Sequence, residues 1–167
     1  MLGKFFFTIL AIALTAGCSN DNASNRQAVD KTARIADLDP RLATADSLVV
    51  VFYKDPYGND SLRYTRYYTQ ASVTDTKPIS ILQDQVAQEW AREEWRRNCR
   101  GEGKIWCFTK GKVFQTLYFS TRCDDCCHVY LIKDGIFYYT RTADAFKDWL
   151  GSVKTNAIEP ANEGVEK

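Results

Sequence analysis

Four apolar runs broken by two tight-turn signals constrain the fold of this 167-residue chain more than any other feature. Residues 105–108 and 113–120 flank Lys110-Gly111, and residues 128–132 and 136–141 flank Asp134-Gly135. Glycine after a polar residue supplies the positive φ of a two-residue hairpin loop, and β-branched and aromatic side chains suit the flanking strands. A meander of four strands follows. Upstream, 48–53 (LVVVFY) is a β-branched and aromatic run ended by the turn residues Asp55, Pro56, Gly58 and Asn59, and 62–69 alternates Leu62, Tyr64, Arg66 and Tyr68 as a further antiparallel strand.

Between these blocks lies a helical pattern. Thr76 can cap, Pro78 suits a first turn, and Ile79, Leu82, Val86 and Trp90 recur at helical spacing, which predicts one long helix over 78–98. Ala145, Phe146, Trp149 and Leu150 predict a short closing helix over 143–153. Strands grouped in hairpins with segregated helices give an α+β fold: an antiparallel sheet of about five to six strands packed on one long helix, with a short C-terminal helix.

If both hairpins have two-residue loops, opposed residues share a face. Trp106, Phe108, Val113, Leu117 and Phe119 then point one way, and Ile105, Cys107, Phe114 and Tyr118 the other; in the second hairpin Tyr130, Ile132, Phe137 and Tyr139 oppose Val129, Leu131 and Tyr138. One helix covers one face, so the other exposes aromatic rings unless the leading segment, the closing helix or a second chain lies over it. An aromatic patch of that size marks a partner site, with Phe114, Tyr118, Tyr130 and Tyr139 as contact candidates. Arg92, Arg96, Arg97 and Arg100, at the predicted end of the long helix, are further contact candidates.

The N-terminus reads as an export signal. Lys4 precedes an uncharged run over 5–16, about a dozen residues and too short to span a bilayer, followed by Gly17 and Cys18. Thr15-Ala16-Gly17-Cys18 resembles the lipobox of bacterial lipoproteins. The resemblance implies a signal peptide over 1–17, cleavage before Cys18, lipidation of its thiol by diacylglycerol with a further amide-linked acyl chain such as palmitate, and stable anchoring of the cell-envelope kind. Residues 18–46 have no aromatic and read as a lipidated cysteine with a flexible tether; 47–153 form the domain; 154–167 form a polar tail. Loss of Lys4 with the signal turns the formal charge of +1 into zero, so no basic surplus points to nucleic acid.

Lipidation of Cys18 leaves Cys99, Cys107, Cys123, Cys126 and Cys127. In an oxidising compartment these are disulfide candidates; a bridge from Cys99 to the 123–127 cluster would staple the chain after the helix to the sheet, neighbouring Cys126 and Cys127 fit a mutual bridge poorly, and an odd number leaves one thiol over. Two other chemistries compete. Cys123, Cys126, Cys127 and His128 carry ligand types for zinc or copper(I), and Cys123 with Cys126 is formally a C-x-x-C redox pair with two acids inside it. No G-x-S-x-G, H-E-x-x-H, P-loop or G-x-G-x-x-G is present, and Ser120 with His128 makes no recognisable triad. The sequence therefore predicts no cofactor and no enzyme. It predicts a lipid-anchored envelope protein, on the outer membrane or cell surface, that binds another envelope or extracellular protein without catalysis; a cysteine-based metal-binding or thiol-redox protein is the alternative.

Overall fold

The computed structural model describes residues 32–59, 68–123 and 126–160. They form one eight-stranded antiparallel sheet with short helices on one face, so the chain is mostly β. The elements are β1 (Thr32–Ala33), α1 (Ile35–Leu38), a 3-10 turn (Pro40–Thr44), β2 (Ser47–Tyr53), β3 (Tyr68–Val73), α2 (Thr76–Val86), β4 (Trp90–Glu93), β5 (Gly103–Thr109), β6 (Lys112–Ser120), β7 (His128–Lys133), β8 (Ile136–Arg141) and α3 (Asp144–Thr155). Across the sheet the order is β1-β4-β8-β7-β6-β5-β2-β3.

This overturns the α+β reading of a five- to six-stranded sheet on one long helix. The helix expected over 78–98 is 11 residues long and ends at Val86. Trp90, which extended the apparent stripe, instead starts β4, where it is fully buried. Its indole N–H donates to the Val86 carbonyl at 3.0 Å, taking the acceptor that a continuing helix would have offered to the backbone N–H of residue 90. A fully buried tryptophan of this kind is worth about 3–5 kcal/mol against alanine.

Both hairpins form at the expected turns. Lys110 and Gly111 have φ of 52° and 71°, and Asp134 and Gly135 have 52° and 77°, positive at both central positions as a type I′ loop requires. The register of the first hairpin is not the simple one, however. Phe108 pairs with Val113, but a shift between Cys107 and Phe108 sets Cys107 opposite Gln115 and Ile105 opposite Leu117. The extra residue is Phe114, and this bulge moves Leu117 and Phe119 onto the face of Ile105 and Cys107.

That face is the core side. Leu48, Val50, Phe52, Ile105, Leu117, Phe119, Val129 and Leu131 pack there with Ile79, Leu82 and Val86 of α2 and Phe146, Trp149 and Leu150 of α3. Gln85, 1% exposed, joins helix to sheet: its amide donates to the Arg141 carbonyl and its oxygen accepts from the Ala143 N–H, each at 2.8 Å. At Gly103 the packing admits no side chain, since a Cβ would lie 2.2 Å from the Val51 carbonyl oxygen and 2.4 Å from Phe119 Cζ.

Part of the segment expected to be tether packs on the domain: Leu38, Leu42 and Ala45 are in the core, and the Asp39 carboxylate both caps the 3-10 turn and pairs with Arg41. Arg41 holds the Asp39 carboxyl below its usual range. At the other end, Ile158 bridges to Gln70 of β3 in the segment read as tail. The strand expected over 62–69 lies mostly outside the described residues, as do the signal peptide and Cys18; β2 pairs with β5 on its inner side and with β3 on its outer side. No helix among the described residues is long and apolar enough to cross a membrane.

Candidate functional site

Strand order dictates how the second face is used. β4 lies beside β8 and β5 lies beside β6, so residues 94–102, which join β4 to β5, must pass over β8, β7 and β6. Helices fill the core side, and the crossing takes the other. Its backbone N–H at Arg97 donates to the Tyr139 hydroxyl at 2.9 Å, and the Arg97 guanidinium lies 4.4 Å above the Tyr139 ring. The Cys99–Cys126 disulfide ties its middle to the start of β7, and Glu102 ties its end. The Glu102 carboxylate accepts from the Tyr57 hydroxyl at 2.8 Å and from both the hydroxyl and the N–H of Thr121 at 2.6 Å. Burial opposes its charge, but these donors prevail and hold the carboxyl below its usual range.

Beneath the crossing runs an aromatic ladder. Tyr118 stacks on Tyr130 at 4.8 Å, Tyr130 meets Tyr139 at 5.1 Å, and His128 stands edge-on to Tyr139 at 5.1 Å. Tyr130, Tyr139 and His128 are buried. Burial, and secondarily the Arg97 charge, pushes the His128 imidazole down to about 4, so it is neutral at ordinary pH. Burial also raises the Tyr139 hydroxyl.

The predicted contact residues therefore separate. Tyr130 and Tyr139 are covered by the chain itself, Tyr118 is half-buried, and Phe114, moved by the bulge, packs against the core with the Arg41 guanidinium 4.9 Å over its ring. Accessible apolar side chains form a rim instead: Trp95, 81% exposed, projects from the crossing, exposed Val113 lies near Ile132, and Ile132, 42% exposed, and half-buried Phe137 border a groove of about 320 Å³ with Arg96, Tyr53 and Tyr118. Sequence reasoning did not single out Trp95, Ile132 or Phe137 as contacts. Trp95 carried a usable signal, as one large apolar residue amid Arg92, Glu93, Glu94, Arg96 and Arg97. The four arginines sit on β4 and the crossing, and Arg97 pairs with Glu93.

The cysteines form two bridges, Cys99–Cys126 and Cys123–Cys127, and Cys107 is free and buried in the core. Burial pushes the Cys107 thiol up to about 12, which leaves it unreactive. By loop entropy the 27-residue separation of the first bridge is worth about 3.5 kcal/mol and the 4-residue separation of the second about 2 kcal/mol. The cysteines that the alternative reading offers as metal ligands, Cys123, Cys126 and Cys127, are thus bonded sulfurs, and among the described residues no cluster of His, Cys, Asp or Glu is arranged for a metal ion. The formal C-x-x-C pair of the alternative reading, Cys123 with Cys126, is not joined. A second cavity, of about 500 Å³, is lined by Cys123, Cys127, His128, Arg97, Arg141 and Glu89. Ser120 and His128 oppose one another across β6 and β7, both buried, and the Ser120 carbonyl accepts from Thr142 at 3.0 Å.

Comparison with protein-family models, with curated proteins and with solved structures gives no match to this chain.

Proposed function

We propose that this protein is a lipid-anchored bacterial envelope protein, tethered through Cys18 at the outer membrane or cell surface. Its disulfide-braced sheet domain binds another envelope or extracellular protein without catalysis. The observation that carries the binding half is the groove bordered by exposed Ile132 and half-buried Phe137 and lined by Tyr53, Tyr118 and Arg96, with Trp95, 81% exposed, next to Arg96 in the chain. A soluble domain keeps such residues at its surface at the expense of solubility, and aromatic side chains next to an arginine, here Arg96, are the usual anchors of protein interfaces. The lipobox-like sequence at residues 15–18 supports the anchoring half.

The two halves are tested separately in the native bacterium. Labelled palmitate should enter the wild-type chain and not Cys18→Ala, and an inhibitor of signal peptidase II should cause the uncleaved form to accumulate. A photo-crosslinking residue at position 132 should give a discrete adduct in intact cells, whereas the same residue at position 147, on the exposed side of α3, should give none. Equal adducts from both positions, or none from either, would refute the rim as an interface. Failure to incorporate palmitate would refute the anchor alone.

A further inference from the structure

A third cavity, of about 370 Å³, opens between α3 and the ends of β2 and β6, on the helix-bearing side of the sheet. It shares no residue with the groove beside Ile132 or with the cavity beside His128. Its floor is apolar: Phe52 and Phe119, both buried and edge to face at 5.7 Å, with Leu150. Its mouth is charged. Lys147, Asp148 and Lys154 of α3 are exposed there, and among the described residues none of the three is in an ion pair. The Glu102 carboxylate also lines it, with its oxygens already accepting from Tyr57 and Thr121. Two cations thus face two anions, so a simple anion or cation gains no net attraction, whereas a molecule that carries both charges and an apolar group matches mouth and floor.

Gly151 points to an occupant independently. Spacings of four and three residues put Lys147, Gly151 and Lys154 on one side of α3. Glycine is the least favourable helix-interior residue after proline, and nothing lies within 4 Å of a Cβ built at Gly151, so no packing contact requires it. What the missing side chain provides is open space between the two lysines, at the mouth of the cavity.

We propose that this cavity binds a free amino acid with a large aliphatic or aromatic side chain. The side chain lies on Phe52, Phe119 and Leu150, the carboxylate lies between Lys147 and Lys154 over Gly151, and the ammonium group meets Asp148. The Lys154 ammonium stands 6.0 Å from the centroid of the Phe52 ring, where the charged mouth meets the apolar floor. A carboxylate separated from its side chain by one carbon falls at that junction. Loss of either charge from the ligand leaves part of the mouth unmatched, so the site distinguishes the free amino acid from its blocked derivatives.

The test uses the full chain with Cys18→Ser, isotope-labelled and titrated with L-phenylalanine, N-acetyl-L-phenylalanine and L-phenylalaninamide while amide NMR shifts are followed. L-phenylalanine should saturate one site, with shifts centred on 147–154, Phe52 and Phe119, and should bind at least tenfold more tightly than either derivative. Gly151→Ala should raise the melting temperature yet weaken L-phenylalanine at least fivefold. Lys147→Gln with Lys154→Gln should reduce L-phenylalanine to the affinity of the amide, and Asp148→Asn to that of the N-acetyl compound. All four positions are exposed, so the fold tolerates the changes. Absence of saturable binding, equal binding of the three compounds, shifts centred elsewhere, or a stabilising Gly151→Ala that leaves binding unchanged would overturn the proposal. None of these outcomes depends on the anchor or on the apolar rim.

Discussion

Acid should unfold this domain partly through one imidazole. His128, the only histidine in the chain, is 3% exposed and lies against Tyr130 and Tyr139 with Arg97 overhead. Its depression from 6.5 to about 4 comes first from burial and then from the Arg97 charge. The unfolded chain binds the proton at the higher pH, so the native state is unaffected above about pH 7. It loses stability as pH falls below 6.5, and the loss levels off below about 4. That depression corresponds to a loss of about 3 kcal/mol at the low-pH limit. Carboxylates held below their usual range, Asp39, Asp46 and Glu102, also lose stability in acid, so the histidine must be isolated by difference. Urea unfolding of the Cys18→Ser chain and of the same chain with His128→Phe, at pH 7.5 and pH 4, provides it: the stability gap should move by about 3 kcal/mol in favour of the phenylalanine chain on acidification. The single imidazole proton resonance should titrate near 4, and Arg97→Gln should raise that midpoint without restoring 6.5. A midpoint near 6.5, or a gap that does not change with pH, would refute the reasoning.

Two further outcomes follow from packing. Gly103→Ala should destabilise by about 2–3 kcal/mol, because its Cβ would meet the Val51 carbonyl, whereas Gly151→Ala, in α3 with nothing within 4 Å, should stabilise by up to about 1 kcal/mol. Equal urea midpoints for the two would contradict the close approach at Gly103. With Cys18 replaced by serine, a thiol reagent should find no reactive cysteine in the native chain and one, Cys107, in denaturant without reductant; rapid labelling of the native chain would show that Cys107 is not sealed in the core.

Local chemistry was legible where it decides structure locally. The two hairpins follow from Lys110-Gly111 and Asp134-Gly135, where Gly and Asp adopt positive φ readily and Lys110 is carried into it by the turn, and α3 follows from Phe146, Trp149 and Leu150. The helix-to-strand change at Trp90 was not legible, because Val86 and Trp90 are a helical pair by spacing and are in fact linked, though by the indole N–H. The apolar stripe does stop there: residues 92–94 and 96–97 are all charged, which is the only local sign that a helix to residue 98 would have had no buried face. The bulge at Phe114 is set by the sheet, since it depends on which partner Cys107 meets. The accessible rim depended on topology in the same way. Nothing near Tyr130 or Tyr139 in sequence announces that residues 94–102 will cover them.

The margins of the sheet bear on how anything could bind it. Among the described residues, edge strand β1 pairs with β4 at Thr32 and Ala33, and at the opposite edge β3 has its backbone at Gln70 engaged by Ile158, with N-to-carbonyl-oxygen distances of 2.7 and 2.9 Å. Strand addition, by which an extended peptide joins a sheet edge, is thereby hindered at Gln70 of β3, whose outward-facing backbone groups are already used. The same contact blunts the β3 edge against pairing with the edge of another copy of the chain.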